Sequence, residues 1–329
     1  MKEKRLFKFG ILALSIVLIA CTGGSAEAGC PEIDGREINV VATTPMIGEF
    51  VSQVGGDNIN LTVLMPAEAD PHTYDPAPQD AGTIADADLV FYTGLKYEPA
   101  ALIKLLENSV CSAEVLAEVG ESVFPIEFKE GGHDDHHGDH DEEGHDDHAG
   151  HDHGAYDPHF WFDPNRVAYA AEYIESKLVE FDPSNASEYE AAGKAYVTEL
   201  KGLVGQVSEL ISTIPSQNRK LITTHESLGY LEAKFGLEVL STIIPSLDSA
   251  NEISPSQLVG VIDVIEDNNV KVIFIEAEAP SVYAETIVAE TGIKAVEGLW
   301  VETLKEGQSY SEFLFDAVEL IVENLRNTD

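Results

Sequence analysis

Basic residues are scarce in this sequence. Its 329 residues include 19 lysines and arginines against 59 aspartates and glutamates, which gives a formal net charge of -40. So acidic a surface argues against nucleic acid or anionic lipid as the ligand and favours cations. The acidic residues are spread along the whole chain, however, and a general adaptation such as solubility at high salt explains most of them. The charge alone therefore gives little support to a cationic ligand.

The start of the chain lacks a hydrophobic run long enough to span a bilayer. Four basic residues precede an apolar run at residues 9–20, and a basic start before a short apolar run is typical of a secretory signal. Ala20, Cys21 and the Gly/Ser-rich stretch that follows resemble a lipoprotein processing site, at which the cysteine becomes the acylated N-terminus. We therefore expect a signal peptide at residues 1–20, with an uncleaved anchor as the alternative. The mature chain is then extracytoplasmic, held by lipid on Cys21 at the outer face of the cytoplasmic membrane or in the periplasm.

Cysteine is also rare. Apart from Cys21 the chain contains only Cys30 and Cys111. An even pair in an exported protein is compatible with a disulfide. The sequence does not show whether the two are close in space, so the pairing stays open at this point.

Two parts of the chain alternate short apolar runs with helix-like stretches. In the first part, strand candidates lie at residues 38–42, 61–64 and 89–92, and helix candidates at 45–54 and 78–87. In the second part, strand candidates lie at 221–223, 239–243 and 272–275, and helix candidates at 227–235, 255–266, 280–291 and 311–325. Strands that alternate with helices predict βαβ units and a parallel sheet. The sequence therefore predicts an α/β protein with two lobes.

A helical segment separates the two α/β parts. Asp163 can cap and Pro164 can begin a first helix, and apolar residues then recur at helical spacing from Tyr189 until Pro215 ends the pattern. A continuous helix over residues 186–214 would be roughly 43 Å long. Such a rod would join the lobes stiffly and limit hinge bending.

Histidine is concentrated in one segment. Eight of the eleven histidines lie at residues 131–154 among acids and glycines, with no aliphatic residue beyond one alanine. Such a segment cannot bury a core, and we expect a disordered surface loop. A loop of histidines and acids either gathers metal ions at low affinity or senses a metal site that is already filled, or it is a dispensable solvated tail, and we favour gathering. Because unperturbed histidines titrate near neutrality, its metal binding should weaken below about pH 6.

The other three histidines are His72, His159 and His225. His72 and His159 both occur in Asp-Pro-His followed by a second Asp-Pro, and proline holds such a backbone stiff and non-helical. A nearby carboxylate could fix the tautomer of each ring. His225 ends a predicted strand, and His72 also follows one. Open α/β sheets place ligands at these strand ends, so one site fed by both lobes is expected.

Three neutral imidazoles favour zinc among the abundant divalent ions, although copper or nickel would bind at least as tightly. The fourth ligand should be a carboxylate. Glu276 and Glu278 follow one strand candidate, and Glu302 follows Trp300 and Val301 near the end of the next. Reasoning from the residues leaves these three open.

Residues 66–74, 157–161 and 223–225 resemble the signature segments of the zinc/manganese solute-binding proteins of ABC importers. The resemblance covers nearly the whole mature chain. It implies two Rossmann-like lobes with parallel sheets, one long rigid linking helix, and a metal held between the lobes by His72, His159 and His225. Histidine as the third ligand and a histidine-rich insertion are zinc-type features, whereas manganese-type members often have glutamate. The family's acidic fourth ligand points to Glu302, although aspartate is usual there.

The resemblance implies a receptor, not an enzyme. We expect it to bind Zn²⁺, with Mn²⁺ as the alternative, and to deliver it as a monomer to permease and ATPase subunits of an ABC importer. A manganese receptor or adhesin and a passive metal store are alternatives. A zinc hydrolase is a further one, although the sequence lacks a His-Glu-x-x-His pair. The predicted segments are the signal peptide at 1–20, a linker at 21–35, an N-terminal metal-binding lobe at 36–165, a helical segment at 166–214 and a C-terminal metal-binding lobe at 215–329.

Overall fold

The computed structural model describes Cys30, Ile33 and residues 35–128, 156–278 and 282–326. The predicted signal peptide with Cys21 and the histidine-rich loop at 131–154 lie outside the described residues. Within the described ranges, no helix combines the length and the apolar character that crossing a bilayer requires.

The amino-terminal lobe contains a sheet of four parallel strands in the order β2-β1-β3-β4. The strands are β1 (Ile38–Ala42), β2 (Ile59–Val63), β3 (Leu89–Tyr92) and β4 (Leu116–Glu118), and the helices are α1 (Pro45–Gly55), α2 (Asp80–Ala85) and α3 (Ala100–Ser109). The central strands β1 and β3 are almost wholly buried, as expected for a parallel sheet covered on both faces. Strand β4 and helix α3 were not predicted, because three residues are too few to produce a pattern and α3 carries no capping side chain.

The carboxyl-terminal lobe repeats this arrangement, with parallel strands in the order β6-β5-β7-β8. The strands are β5 (Lys220–His225), β6 (Glu238–Ile244), β7 (Val272–Glu276) and β8 (Lys294–Leu299), and the helices are α6 (Gly229–Phe235), α7 (Pro255–Asn268), α8 (Val282–Thr291) and α9 (Tyr310–Leu325). Two parallel-sheet α/β lobes confirm the predicted fold class.

Two helices lie between the sheets, α4 (Pro164–Phe181) and α5 (Ala186–Ser212). The Asp163 side chain accepts the N–H of Asn165 and Pro164 occupies the first turn, so α4 begins as predicted. Helix α5 has 27 residues and is about 40 Å long. The Tyr189 hydroxyl near its start donates to the Asn58 carbonyl beside β2, and its end leads through Pro215 into β5. The helix therefore links the lobes, as predicted.

The apolar core continues from one lobe into the other. Ile47 of α1, Ile174 of α4, Leu200 of α5 and Phe313 of α9 are each fully buried and belong to one hydrophobic cluster. Because the linking helix is packed on several sides, bending at it would expose apolar surface. This packing gives a physical basis for a stiff connection.

Cys30 and Cys111, left open by the sequence, form a disulfide with a Cα–Cα distance of 5.1 Å. The bridge joins residues 81 apart in the chain. It fastens the beginning of the amino-terminal lobe to the segment that follows α3.

Candidate metal centre

The structure brings His72, His159, His225 and Glu302 together. Each offers one ligand atom, and these atoms all lie within 4.8 Å of one another. His72 lies in a short turn after β2, His159 before α4, His225 at the end of β5 and Glu302 after β8. The four residues therefore lie beyond the carboxyl ends of strands from both lobes, which is where open α/β sheets bind ligands.

The four ligand atoms have the separations of a small coordination polyhedron. Glu302 Oε1 lies 2.7 Å from the Nε2 of His225, 3.2 Å from that of His159 and 3.5 Å from that of His72. A tetrahedral ion with bonds of 2.0–2.1 Å would separate neighbouring ligand atoms by about 3.4 Å. The distances from Glu302 Oε1 lie close to this value, and all four ligand atoms are within 4.8 Å of one another, so small movements of the side chains would form a zinc tetrahedron.

The four side chains are almost completely buried, which supports the binding of one metal ion by all of them. His159, His225 and Glu302 have no exposed surface, and the His72 side chain is 5 % exposed. The Nε2 atom of His72 is buried and forms no hydrogen bond, and it lies 3.5 Å from Glu302 Oε1. A buried polar atom without a hydrogen bond is unfavourable, so this nitrogen is well placed to bind an ion.

Asp157 orients His159. Its Oδ1 accepts the backbone N–H of His159 and lies 2.8 Å from the ring Nδ1. A proton on Nδ1 leaves the Nε2 lone pair free to face the site. Tyr230 donates to the Asp157 carbonyl at 2.8 Å, and a Cβ at Gly229 would lie 2.5 Å from Asp157 Oδ2. Glycine is therefore needed at 229 for this carboxylate to keep its place.

Glu276 has the same role for His225. Its Oε2 lies 2.5 Å from the ring Nδ1, and its Oε1 accepts the backbone N–H of His225 at 3.2 Å. The Ser227 hydroxyl donates to Oε1 at 3.1 Å. Glu276, one of the three acids left open by the sequence, therefore holds a histidine instead of joining the cluster.

Glu278 holds the backbone that carries Glu302. Its Oε1 accepts the N–H groups of Val301, Glu302 and Thr303 at 3.0, 2.9 and 3.2 Å. Of the three acids left open, Glu302 alone lies among the histidines. Tyr97 was not identified from the sequence, yet its hydroxyl donates to Glu302 Oε2 at 2.8 Å. No local pattern marks this tyrosine, which is 205 positions from its partner.

His72 is held differently from the other two histidines. Asp70 Oδ1 accepts its backbone N–H at 3.0 Å, whereas the expected contact with a ring nitrogen is not formed by this carboxylate. Asp70 Oδ2 instead accepts the hydroxyl of Ser249 from the other lobe at 3.0 Å. The motif thus fixes the turn around His72 and joins it to the carboxyl-terminal lobe.

The histidines and carboxylates of the site shift one another's pKa values. Burial lowers the pKa of His159, but the Glu302 and Asp157 carboxylates outweigh it and raise the pKa to about 9. The pKa of His225 is raised well above its usual value against the same effect of burial, by Glu276 and Glu302. Burial raises the pKa of Glu302, but the three histidines outweigh it and place the pKa well below its usual value. A divalent cation entering the site would replace protons and release them.

A cavity of about 550 Å³ adjoins this cluster. Its lining includes His72, Tyr97, Pro158, Leu247 and Asp248. His72 is the one member of the cluster that lines it, so an ion reaching the site along this cavity meets His72 first.

The fold and this centre define the class of two-lobed metal-receptor proteins. The sequence profile of the family described as the periplasmic component A of the zinc-uptake complex matches residues 40–327, and the chain belongs to that family. The high-affinity zinc uptake system protein ZnuA of Bacillus subtilis (strain 168) is 30% identical over 327 residues, which are 96% of each chain. The manganese-binding lipoprotein MntA of Halalkalibacterium halodurans is 24% identical over 317 residues, again 96% of each chain.

Solved structures agree on the fold. The periplasmic zinc binding protein TroA from Treponema pallidum matches with a TM-score of 0.74 at 22% identity, over 88% of this chain and 99% of that one. At this identity the match supports the architecture alone.

Proposed function

We propose that this protein is an extracytoplasmic receptor that binds one zinc ion between its lobes and delivers it to the permease and ATPase of an ABC importer. The observation that carries the proposal is the convergence of three Nε2 atoms and one carboxylate oxygen within 4.8 Å. The ion is cargo, so the site must bind it specifically and also release it. The description of the family and the name of the Bacillus subtilis relative favour zinc.

The site's own chemistry favours a receptor over a zinc hydrolase. Catalytic zinc typically has three protein ligands and an open position for water, with a general base nearby. Here four protein ligands are available, and all four are buried or nearly so. The two remaining acids, Glu276 and Glu278, already accept hydrogen bonds from His225 and from the backbone around Glu302. Neither is therefore free to activate a water. Turnover of ester or peptide substrates by metal-loaded protein would favour the enzyme instead.

Manganese is the second candidate ion. It is favoured by the name of the Halalkalibacterium halodurans relative, which is a manganese-binding lipoprotein. The third imidazole, His225, argues for zinc, because manganese prefers oxygen ligands. Elemental analysis of protein purified without added metal separates the two. One zinc per chain is expected, and one manganese per chain would refute the choice of ion while keeping the receptor.

The proposed function also includes a membrane location for the protein and a role for its histidine-rich segment. Several relatives are named as lipoproteins, which supports lipid attachment at Cys21 and a position at the outer face of the membrane. The mature protein acts as a monomer in delivering its ion. The histidine-rich segment at 131–154 gathers zinc at low affinity. Radiolabelled palmitate incorporated into the wild-type protein but not into Cys21→Ser tests the anchor.

The decisive experiment combines two variants in a metal titration. His159→Ala removes a buried ligand and should abolish tight stoichiometric binding. Deletion of residues 131–154 should leave one tight ion per chain. Tight binding retained by His159→Ala would overturn the site, and loss of all tight binding on loop deletion would favour a passive metal store.

A further inference from the structure

We propose that Tyr97 is a specificity-determining residue, whose hydroxyl occupies one oxygen of Glu302 and so limits this carboxylate to a single metal bond. The inference rests on the proposed function, since it concerns which ion the receptor selects. It assigns a role in ion choice to a side chain that is not itself a ligand.

The two oxygens of Glu302 have different partners. Oε1 faces the three histidines at 2.7 to 3.5 Å, whereas Oε2 accepts the Tyr97 hydroxyl at 2.8 Å. The same hydroxyl lies 3.1 Å from the Glu302 carbonyl, so it is fixed against both ends of this residue. A hydrogen bond to a carboxylate is stronger than one between neutral groups. An ion among the histidines therefore meets one free oxygen, not two.

Tyr97 cannot easily move away from Glu302. It is 2 % exposed, and its ring packs edge-on against His72, His159 and Trp161 at centroid distances of 5.2, 6.0 and 5.3 Å. The ring thus packs against two histidines of the site and against Trp161. Any ion that bound both oxygens of Glu302 would compete with Tyr97 for Oε2 and leave the hydroxyl only its longer contact with the Glu302 carbonyl.

The backbone before Tyr97 is also held in place. Gly94, Leu95 and Lys96 all have positive φ values, of 77°, 54° and 64°. Two carboxylates hold this turn: Glu98 accepts the N–H of Gly94 at 2.9 Å, and Glu118 accepts the N–H of Leu95 at 2.9 Å. Non-glycine residues adopt this conformation only when their surroundings enforce it. The turn therefore presents Tyr97 in a fixed position.

Coordination number links this contact to ion choice. Three imidazoles and one carboxylate oxygen make four ligands, which is the set that zinc prefers. Manganese favours oxygen ligands and six-coordinate geometry, so it would gain from a second carboxylate oxygen. Because the Tyr97 hydroxyl is hydrogen-bonded to Oε2, the site is suited to a four-coordinate ion. The geometry thus disfavours manganese without any direct contact with it.

The test compares Tyr97→Phe with a matched control, Tyr310→Phe. Both substitutions remove one hydroxyl from a buried tyrosine, but Tyr310 donates to the carbonyl of Trp161 and does not contact the four ligands. Zinc and manganese affinities are measured in competition for each variant. Tyr97→Phe should lower the zinc-to-manganese affinity ratio by about tenfold or more, the size expected for one hydrogen bond to a charged group. Tyr310→Phe should leave the ratio unchanged.

A spectroscopic readout separates coordination from general destabilisation. With Co²⁺ as the probe, wild-type protein should give the intense visible bands of a four-coordinate ion. Tyr97→Phe should give weaker bands, because a fifth ligand reduces their intensity. Loss of stability alone would lower the occupancy of the site but would not change the intensity per bound ion.

The outcomes distinguish the two proposals. Wild-type protein that binds no single tight ion would refute the receptor function. Wild-type protein that binds one ion, with Tyr97→Phe unchanged in both affinity ratio and Co²⁺ spectrum, would refute the role of Tyr97 alone. If Tyr97→Phe does not fold, a crystal structure of the zinc-loaded wild-type protein decides the question. Oε2 of Glu302 should still be bonded to Tyr97, and both oxygens at bonding distance from the ion would overturn the inference.

Discussion

Replacing Asp157 with asparagine tests how much the orientation of the His159 ring contributes to metal binding. Asp157 Oδ1 accepts both the backbone N–H of His159 and, at the same 2.8 Å, the ring Nδ1. Asparagine keeps the shape and one acceptor oxygen but removes the charge. The His159 ring then loses part of the stabilisation that fixes its tautomer and strengthens Nε2 as a donor to metal.

The expected loss of zinc affinity in Asp157→Asn follows from the contact between Asp157 and the His159 ring. Removing a group that orients a metal-bound histidine typically weakens metal binding by about 10- to 100-fold. This corresponds to about 1.4 to 2.8 kcal/mol of binding free energy. We expect Asp157→Asn to fall in this range and His159→Ala to lose much more. Because Asp157 is buried and contacts no other histidine of the cluster, its effect should act through His159 alone.

Asp163→Asn provides the matched control. Asp163 is also a buried aspartate on the same stretch of chain, but it accepts the N–H of Asn165 as the cap of α4. Asparagine is as good a cap as aspartate, so this variant should fold and bind normally. Isothermal titration with zinc, together with the thermal unfolding midpoint, measures both effects. Unchanged zinc affinity in Asp157→Asn, with both variants folded, would refute the orienting role.

Three further perturbations have defined outcomes. Gly229→Ala would place a Cβ 2.5 Å from Asp157 Oδ2, so zinc affinity should fall by at least the amount seen for Asp157→Asn, and an unchanged zinc titration would contradict the packing argument. Cys30→Ser opens a bridge between residues 81 apart and should lower the free energy of unfolding by about 4 kcal/mol, as measured by denaturant titration, while zinc affinity in the folded protein stays the same. Zinc at about 1,000 times its Kd should stabilise the wild-type protein by about 4 kcal/mol against unfolding, and a chelator should remove this gain. His159→Ala should show little of this stabilisation at the same zinc concentration, and an equal gain in that variant would place the ion elsewhere.

The sequence by itself determined the features that depend on local pattern. Short apolar runs predicted six of the strands at nearly their observed positions. The proline-led starts of α1, α4 and α7 were also correct, because capping needs only neighbouring residues. The stripe that begins at Tyr189 predicted α5 to within two residues of its end. The same reasoning selected His72, His159 and His225, since histidine is almost absent outside one loop. Because His72 and His225 lie at or after the ends of predicted strands, the sequence also predicted that the three histidines form one site.

Only the tertiary structure decided how the acids divide their roles. Glu276 ends β7, and Glu278 and Glu302 follow β7 and β8, so no local rule separates the three acids. In the fold, a bulge in the pairing of β7 with β8 lies at Glu276, which turns towards His225. Glu278 meets the backbone beyond β8, and Glu302 reaches the histidines. Tyr97 and the pairing of Cys30 with Cys111 were likewise set by distant contacts. Such contacts depend on the packing of whole lobes, whereas sequence patterns extend over only a few turns or strands.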